Sequence, residues 1–155
     1  MTVSTSTRLS DGRELIYFDA SAETARRRAA APADGRGLPP RPGNGTARFD
    51  ALTGEWIAVA AHRQSRTHLP PADQCPLCPS SPSRASEIPA EDYEVVVFEN
   101  RFPSFGPDLG VLPDNPAWGA TAPAYGRCEV VAFDSAHEGS FGSLSHERAR
   151  TVVDA

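Results

Sequence analysis

Residues Arg48–Cys78, RFDALTGEWIAVAAHRQSRTHLPPADQCPLC, combine more chemical signals than any other stretch of this sequence. Thr53-Gly54 is a turn signal, and the apolar run Glu55–Ala61 that follows it predicts a β-strand. Because apolar residues occupy both alternating sets of positions, we expect this strand to be buried on both faces. Two arginines, a loop containing prolines and a Cys-x-x-C pair come next, so the stretch joins a strand to two candidate binding sites.

Other segments carry secondary-structure signals of their own. Tyr93–Phe98 (YEVVVF) and Cys128–Phe133 (CEVVAF) are apolar runs of strand length, and Glu14–Phe18 is a weaker one. Leu144–Ala155 predicts a helix, for which Ser145 is a suitable N-cap. These segments together predict a β-rich domain that ends in a helix.

The first 47 residues differ in composition from the rest of the chain. Ala20–Gly45 consists largely of Ala, Arg, Pro and Gly, with almost no large apolar side chain. Such a segment cannot offset its ordering entropy by burial. We therefore expect residues 1–47 to be a poorly ordered arm with one short strand, and residues 48–155 to form the folded domain.

The helix predicted at the end of the sequence has no termination signal. Val152 and Val153 lie where an amphipathic helix would continue, and no Gly, Pro or other C-capping residue follows them. We therefore expect the chain to be one piece of a longer protein, cut within this helix, either as a truncated form or as the product of a split gene.

Charge and composition exclude several classes of protein. The net charge of −5 argues against a general nucleic-acid binder, which needs a surplus of cations to displace counterions from phosphates. No apolar run approaches the length of a membrane span, and the N-terminus has no hydrophobic signal core. We expect a cytoplasmic protein without nucleic-acid or membrane partners, whose cysteines suit a reducing compartment.

The spacing of Cys75-Pro76-Leu77-Cys78 is that of half a zinc site. Two intervening residues let both thiolates face one ion, and a structural site needs two more Cys or His ligands. His137 is the best third candidate because it follows the last apolar run; His62 and His146 compete with it, and we expect Cys128 to point into the core. The alternatives are a redox pair or two small buried cysteines, and no convincing fourth ligand is present.

Polar residues follow two of the predicted strands and are candidates for binding an anion. Arg63 and Arg66 come after the first apolar run, and guanidinium groups match phosphate oxygens bidentately. Asn100 and Arg101 follow Tyr93–Phe98, where an amide could contact a ribose or phosphate oxygen. The alternative is that these side chains are simply solvated. The sequence contains no dinucleotide-binding, P-loop, nucleophile-elbow or zincin motif, so these residues alone indicate no reaction.

Five motifs nevertheless occur in a defined order along the chain. They are RFDALTGEWIAV (Arg48–Val59), HRQSR (His62–Arg66), CPLCP (Cys75–Pro79), VFENRFP (Val97–Pro103) and FDSAH (Phe133–His137). Together they resemble the N-terminal half of the galactose-1-phosphate uridylyltransferases. The resemblance extends over Arg48–Ala155, and the first 47 residues add little to it.

The resemblance implies an α+β fold with a histidine-triad-like antiparallel sheet and a flanking helix. The family transfers UMP from UDP-glucose to galactose 1-phosphate through a uridylylated histidine, which divides one difficult displacement into two easier ones. Its complete members have two similar halves and work as homodimers. The implied partners are therefore the two sugar substrates and either a second copy or a complementing C-terminal half.

The resemblance also assigns roles by position. Cys75, Cys78 and His137 match three ligands of the family's structural zinc, whose fourth ligand is a histidine near an active-site His-Pro-His that this sequence lacks. Arg63 and Arg66 match an arginine pair that reaches the nucleotide sugar across the dimer interface.

The segment after Tyr93–Phe98 matches the family only in part. Asn100 matches an asparagine that contacts the uridine portion, whereas Arg101 stands where the family has aspartate. That replacement exchanges a hydrogen-bond acceptor for a cation, so a side-chain hydrogen bond to the ribose hydroxyls is not expected at this position.

The nucleophile that the resemblance implies is absent from the sequence. None of its four histidines lies in a His-x-His motif, so we expect the isolated chain to be inactive. Two alternatives remain open. One is a non-catalytic zinc-binding interaction module derived from the same family, and the other is a related nucleotidyltransferase or phosphorylase with another substrate, such as ADP-glucose.

Overall fold

The computed structural model describes residues 1–41, 45–60, 70–107 and 119–155. In chain order, its strands and α-helices are β1 (Val3–Arg8), β2 (Glu14–Asp19), α1 (Ala22–Ala29), β3 (Thr46–Asp50), β4 (Glu55–Val59), β5 (Val95–Glu99), β6 (Thr121–Pro123), β7 (Glu129–Ala132) and α2 (His146–Asp154). The described residues therefore form two sheets and two α-helices, which confirms the expected α+β class.

The chain divides into two compact units. The first comprises the described residues of Met1–Pro39, His68–Phe98 and Val130–Ala155, and the second those of Pro40–Thr67 and Glu99–Glu129. The first unit is built on a sheet with strand order β1-β2-β5-β7, in which β2 pairs antiparallel with both β1 and β5. The second is built on an antiparallel sheet with strand order β4-β3-β6.

The core of the first unit lies on one face of β2 and β5. Leu15 and Tyr17 stand opposite Phe98 and Val96, and all four side chains are buried because alternate residues of paired strands share one face. The core is completed by residues of the loops on either side: Leu9, Ile88, Ala90 and Tyr93. The strand predicted in Tyr93–Phe98 is confirmed as β5, an inner strand whose four residues before Glu99 are all buried.

Helix α2 begins where the sequence predicts it. The Ser145 hydroxyl accepts a hydrogen bond from the Arg148 backbone N–H at 3.1 Å, which satisfies one of the free donors of the first turn. Thr151 is the buried residue of this helix, and α2 contacts β2. The strand predictions for Glu14–Phe18 and Cys128–Phe133 are likewise confirmed, as β2 and β7.

The N-terminal residues differ from the poorly ordered arm that their composition predicts. They form β1, β2 and α1, with the Ser21 side chain capping the helix. Ion pairs add to apolar burial here: Arg28 is 6% exposed and contacts the carboxylates of Asp19 and Asp92. An arginine-rich segment is ordered in this way because guanidinium groups can be buried when carboxylates satisfy their donors.

Strand β4 contradicts the expectation that Glu55–Ala61 is buried on both faces. Trp56 is 53% exposed and Ile57 is 48% exposed. The reason is position: β4 lies at the edge of a three-stranded sheet, and β3 is its one partner strand among the residues that the structure describes. The turn between the two strands was predicted correctly, and Gly54 adopts the positive φ of 73° that favours glycine there.

No helix among the residues that the structure describes is long and apolar enough to cross a membrane.

Candidate metal centre

The loop Cys75–Pro79, called the metal loop below, begins after a 3₁₀ turn at Ala72–Gln74. The Cys78 backbone N–H donates to the Cys75 carbonyl at 3.4 Å, which closes a turn and directs the two side chains to the same side. Cys75 is buried and Cys78 is partly exposed, and neither is in a disulfide.

His137 approaches this loop from the segment after β7. The Asp134 carboxylate accepts a hydrogen bond from the Ala136 backbone N–H at 2.9 Å, which shapes the turn before the histidine. The His137 Nδ1 atom lies 3.3 Å from Cys78 Sγ, and one ligand atom from each of Cys75, Cys78 and His137 lies within 4.8 Å of the others. Residues 59 positions apart in sequence therefore converge on one point.

These three donors fit a tetrahedral metal ion. Zinc–sulfur and zinc–nitrogen bonds of about 2.3 and 2.0 Å place the ligand atoms of a tetrahedral site roughly 3.5 to 3.8 Å apart. The 3.3 Å between His137 Nδ1 and Cys78 Sγ is close to this scale, and thiolate with imidazole is a donor set that favours zinc over hard cations such as magnesium. The three side chains could thus supply three of the four ligands that a structural centre requires.

The electrostatics of the cysteines are consistent with a site for a cation. Burial raises the pKa of the Cys78 thiol, and the adjacent Cys75 raises it further, whereas Arg84 opposes the shift. Two neighbouring thiolates repel each other unless a positive charge lies between them. A bound metal supplies that charge and favours the deprotonated, ligating form.

The competing ligands take no part in this group. His146 is the first residue of α2, and Cys128 is partly exposed rather than part of a core; neither belongs to the described Cys/His group. His62 lies outside the described residues. The structure thus brings Cys75, Cys78 and His137 together and leaves the fourth ligand position without a described candidate.

The predicted substrate-binding residues belong to other parts of the chain. Arg63 and Arg66 lie outside the described residues. Asn100 and Arg101 belong to the second unit: the Asn100 side-chain oxygen accepts from the Phe102 backbone N–H at 2.9 Å, and the Arg101 guanidinium lies 5.7 Å from the Phe102 ring centroid. Their binding roles remain predictions.

Sequence reasoning missed two residues that contact the metal loop. Arg84 and Tyr93 donate side-chain hydrogen bonds to its backbone carbonyls. The signal that could have indicated Arg84 is the Ser-Pro-Ser turn immediately before it, which predicts that the chain reverses towards the cysteines. The sequence around Tyr93 indicates only the beginning of a strand and gives no signal for a contact with the metal loop.

Comparison with known proteins identifies the family of this chain. Residues 41–155 match the family model of the galactose-1-phosphate uridyl transferase N-terminal domain. A galactose-1-phosphate uridylyltransferase of Streptomyces lividans is 46% identical over 97% of this chain and 36% of its own length. One of Thermotoga maritima is 32% identical over 69% of this chain and 32% of its own length.

A solved structure described as that of a uridylyltransferase shares the fold. It superimposes with a TM-score of 0.51 over 70% of this chain and 32% of its own length, at 23% sequence identity. The present chain spans about a third of the length of the curated relatives it matches. Since the family model matches most of the chain, this protein belongs to the galactose-1-phosphate uridyl transferase family and corresponds to its N-terminal domain.

Proposed function

We propose that this chain is the N-terminal part of an enzyme that transfers UMP from UDP-glucose to galactose 1-phosphate, in the cytoplasm. The observation that carries the proposal is the 46% identity with the Streptomyces lividans galactose-1-phosphate uridylyltransferase over 97% of this chain. Identity that extends over nearly the whole chain indicates a shared role as well as a shared fold.

In this proposal the metal centre is structural and its metal is zinc. Zinc bound to Cys75, Cys78 and His137 would join the metal loop to the segment after β7 and hold both in place. The fourth ligand would come from another part of the complete protein. This chain's own residues contribute the preformed three-donor geometry, in which the 3.3 Å approach of His137 to Cys78 already resembles a ligated arrangement.

The nucleotide sugar would be bound by the arginine pair and by the segment after β5, the two groups of substrate-binding residues predicted from the sequence. Arg63 and Arg66 would hold its phosphates in a neighbouring subunit of a homodimer, or next to a complementing C-terminal half. Asn100 would contact the uridine portion. Because the Asn100 side-chain oxygen already accepts from the Phe102 backbone N–H, the amide nitrogen is the group that would donate to the ligand. Arg101 would add positive charge where the family has an acid.

The covalent step would require residues that this sequence does not contain. A uridylylated intermediate needs a histidine whose nitrogen attacks the α-phosphorus of UDP-glucose while glucose 1-phosphate leaves. None of the four histidines of this sequence lies in a His-x-His motif. The isolated chain should therefore give no covalent UMP adduct and no turnover.

A chimaera tests the proposal directly. This chain would replace the matching N-terminal third of the Streptomyces lividans relative, whose remaining two thirds supply the His-x-His segment that the resemblance leads us to expect. The chimaera should convert UDP-glucose and galactose 1-phosphate to glucose 1-phosphate and UDP-galactose, whereas the truncated relative alone and this chain alone should not.

The outcomes of that assay separate the candidate functions. A folded chimaera that binds metal but transfers no uridylyl group would indicate a non-catalytic module. Activity with ADP-glucose and phosphate in place of the uridylyl substrates would indicate the related phosphorylase. Loss of activity in an Arg63→Met/Arg66→Met chimaera, with the metal retained, would support the phosphate-binding role of the arginine pair.

A further inference from the structure

The backbone carbonyls of the metal loop are held from one side by the segment that follows it. Four of the five carbonyl oxygens of Cys75–Pro79 accept hydrogen bonds from residues 84–93, and they are those of Cys75, Pro76, Leu77 and Pro79. One of these bonds is made by the Glu87 backbone N–H to the Pro76 carbonyl at 3.0 Å. The other donors are side chains, which means that they can be removed one at a time.

Arg84 contacts the two ends of the metal loop at once. Its Nη1 atom donates to the Cys75 carbonyl at 2.6 Å and its Nη2 atom to the Pro79 carbonyl at 3.3 Å. A guanidinium group presents donors in a rigid planar fork, so the two bonds fix the distance between the carbonyls that flank the cysteine pair. The Arg84 backbone is fixed in turn by reciprocal hydrogen bonds with Ser81, at 2.8 and 3.0 Å.

Tyr93 contacts the middle of the same loop from the core. Its ring is 4% exposed and its hydroxyl donates to the Leu77 carbonyl at 3.2 Å. A buried ring with two side-chain dihedral angles is held by its neighbours, so the hydroxyl has little freedom to follow a displaced loop. The tip of the metal loop is thereby tied to the packing of the first unit.

The bracing segment is itself anchored to the N-terminal residues. The Glu87 carboxylate pairs with Arg13, which is 1% exposed, and with Arg36 at 3.2 Å. Asp11 and Asp34 balance the two guanidinium groups. The segment that holds the metal loop is therefore tied to the N-terminal residues of the first unit by buried and half-buried ion pairs.

We propose that Arg84 and Tyr93 are positioning residues that hold the metal loop in its ligating geometry before the metal binds. Neither side chain is a ligand; they act through backbone carbonyls on the directions of Cys75 and Cys78. Preorganisation of this kind raises metal affinity, because less conformational freedom is lost when the metal is bound. The inference rests on the metal centre proposed above and adds to it the residues that determine its affinity.

Cobalt binding by the full 155-residue chain tests the proposal. Co²⁺ replaces zinc in thiolate sites and gives visible absorption that reports both affinity and coordination geometry. Tyr93→Phe should weaken Co²⁺ binding about threefold to tenfold, the effect of one hydrogen bond. Arg84→Met, which removes two, should weaken it tenfold or more. Both variants should keep the tetrahedral spectrum at saturating metal, because all three ligands remain.

Two matched variants distinguish positioning from general stability. Thr151→Val also removes a buried hydroxyl from the first unit, one that donates to the Glu147 carbonyl at 3.2 Å within α2, and it should leave Co²⁺ affinity unchanged. Arg84→Lys keeps the charge but not the planar fork, and it should remain weakened. Equal affinities for Tyr93→Phe and Thr151→Val, or full affinity in Arg84→Lys, would overturn the proposal.

The same titration separates this proposal from the one on which it rests. Wild-type chain that binds neither Co²⁺ nor Zn²⁺ would refute the metal centre and the positioning role together. Wild-type chain that binds metal normally, with no loss in Tyr93→Phe or Arg84→Met, would refute the positioning role alone.

Discussion

Replacing Arg28 with methionine should destabilise the first unit by about 3 to 5 kcal/mol at pH 7, the cost of removing one partner of a buried ion pair. Arg28 Nε lies 3.3 Å from Asp19 Oδ1, and the Asp19 side chain is 0% exposed. Asp92, the second partner, is 66% exposed, so its contact with Arg28 contributes at most about 1 kcal/mol. Most of the predicted loss therefore comes from leaving the Asp19 carboxylate buried without a cation.

The loss should depend on pH in a defined direction. Burial raises the pKa of Asp19, and the ion pair with Arg28 opposes that rise. A carboxyl group whose pKa is higher in the folded than in the unfolded protein lowers the stability as the pH rises above its unfolded pKa, and the full loss is reached above its folded pKa. Without Arg28 the effect of burial is unopposed, so the deficit relative to wild type should be largest at neutral pH and should shrink as the pH falls towards 4.

Urea unfolding followed by far-UV circular dichroism, supported by amide exchange of β2, measures this prediction. Tryptophan fluorescence is unsuitable because both tryptophans of the sequence, Trp56 and Trp118, lie outside the sequence ranges of the first unit. Arg26→Met is the matched control, since Arg26 lies on the same helix with an exposed side chain. Arg28→Met/Asp19→Asn should recover stability at pH 7 and lose the pH dependence. The reasoning is refuted if Arg28→Met costs no more than Arg26→Met, or if the double variant recovers nothing.

Three further outcomes are expected. Gly45→Ala should lower the free energy of unfolding by about 1 to 3 kcal/mol, because a Cβ there would lie 2.7 Å from the Val59 carbonyl oxygen and overpack the site. Gly37→Ala, which has open space around it, should be neutral in the same urea unfolding measurement. Val96→Ala should lower stability by about 2 kcal/mol, since its side chain is fully buried; an equal loss in Ile57→Ala, on the exposed strand β4, would contradict the burial assignment. Cys75→Ala should abolish stoichiometric zinc measured by elemental analysis, and zinc that persisted would disprove the ligand assignment.

The sequence patterns predicted where strands form but not how deeply each strand is buried. Four consecutive apolar residues of β5 are buried in the middle of a sheet, so local composition and tertiary environment agree. Strand β4 has an equally apolar sequence but lies at a sheet edge with Trp56 half exposed. An apolar pattern shows that a strand could be buried, but it does not determine whether the strand lies inside a sheet or at its edge.

The candidate site was predictable to different degrees along the chain. The Cys75–Cys78 spacing indicates a metal pair because the geometry is local. The position of His137 after the last apolar run made it the best third candidate, and the family resemblance favoured it over the competing His62 and His146, because 59 residues separate it from Cys78. A turn signal before Arg84 indicates that the chain reverses there, but neither it nor any spacing rule specifies which backbone carbonyls Arg84 and Tyr93 contact.

Hydrophobic periodicity does not predict strand β1 or helix α1, because neither element is held in place mainly by a stripe of apolar side chains. Strand β1 is polar and largely exposed, and it forms by pairing with β2 at the sheet edge. Helix α1 is held by Arg28, which a periodicity analysis treats as a surface residue although a carboxylate partner allows it to be buried.

The structure of these N-terminal residues changes what the family match implies for this chain. The match begins at residue 41, yet residues 1–39 belong to the unit that contains the metal centre. They supply Leu15 and Tyr17 to its core and Arg13 to the anchor of the segment that braces the metal loop. Metal binding and the N-terminal hairpin should therefore be coupled, so that a chain beginning at residue 41 would retain all three ligands but lose the packing that positions them.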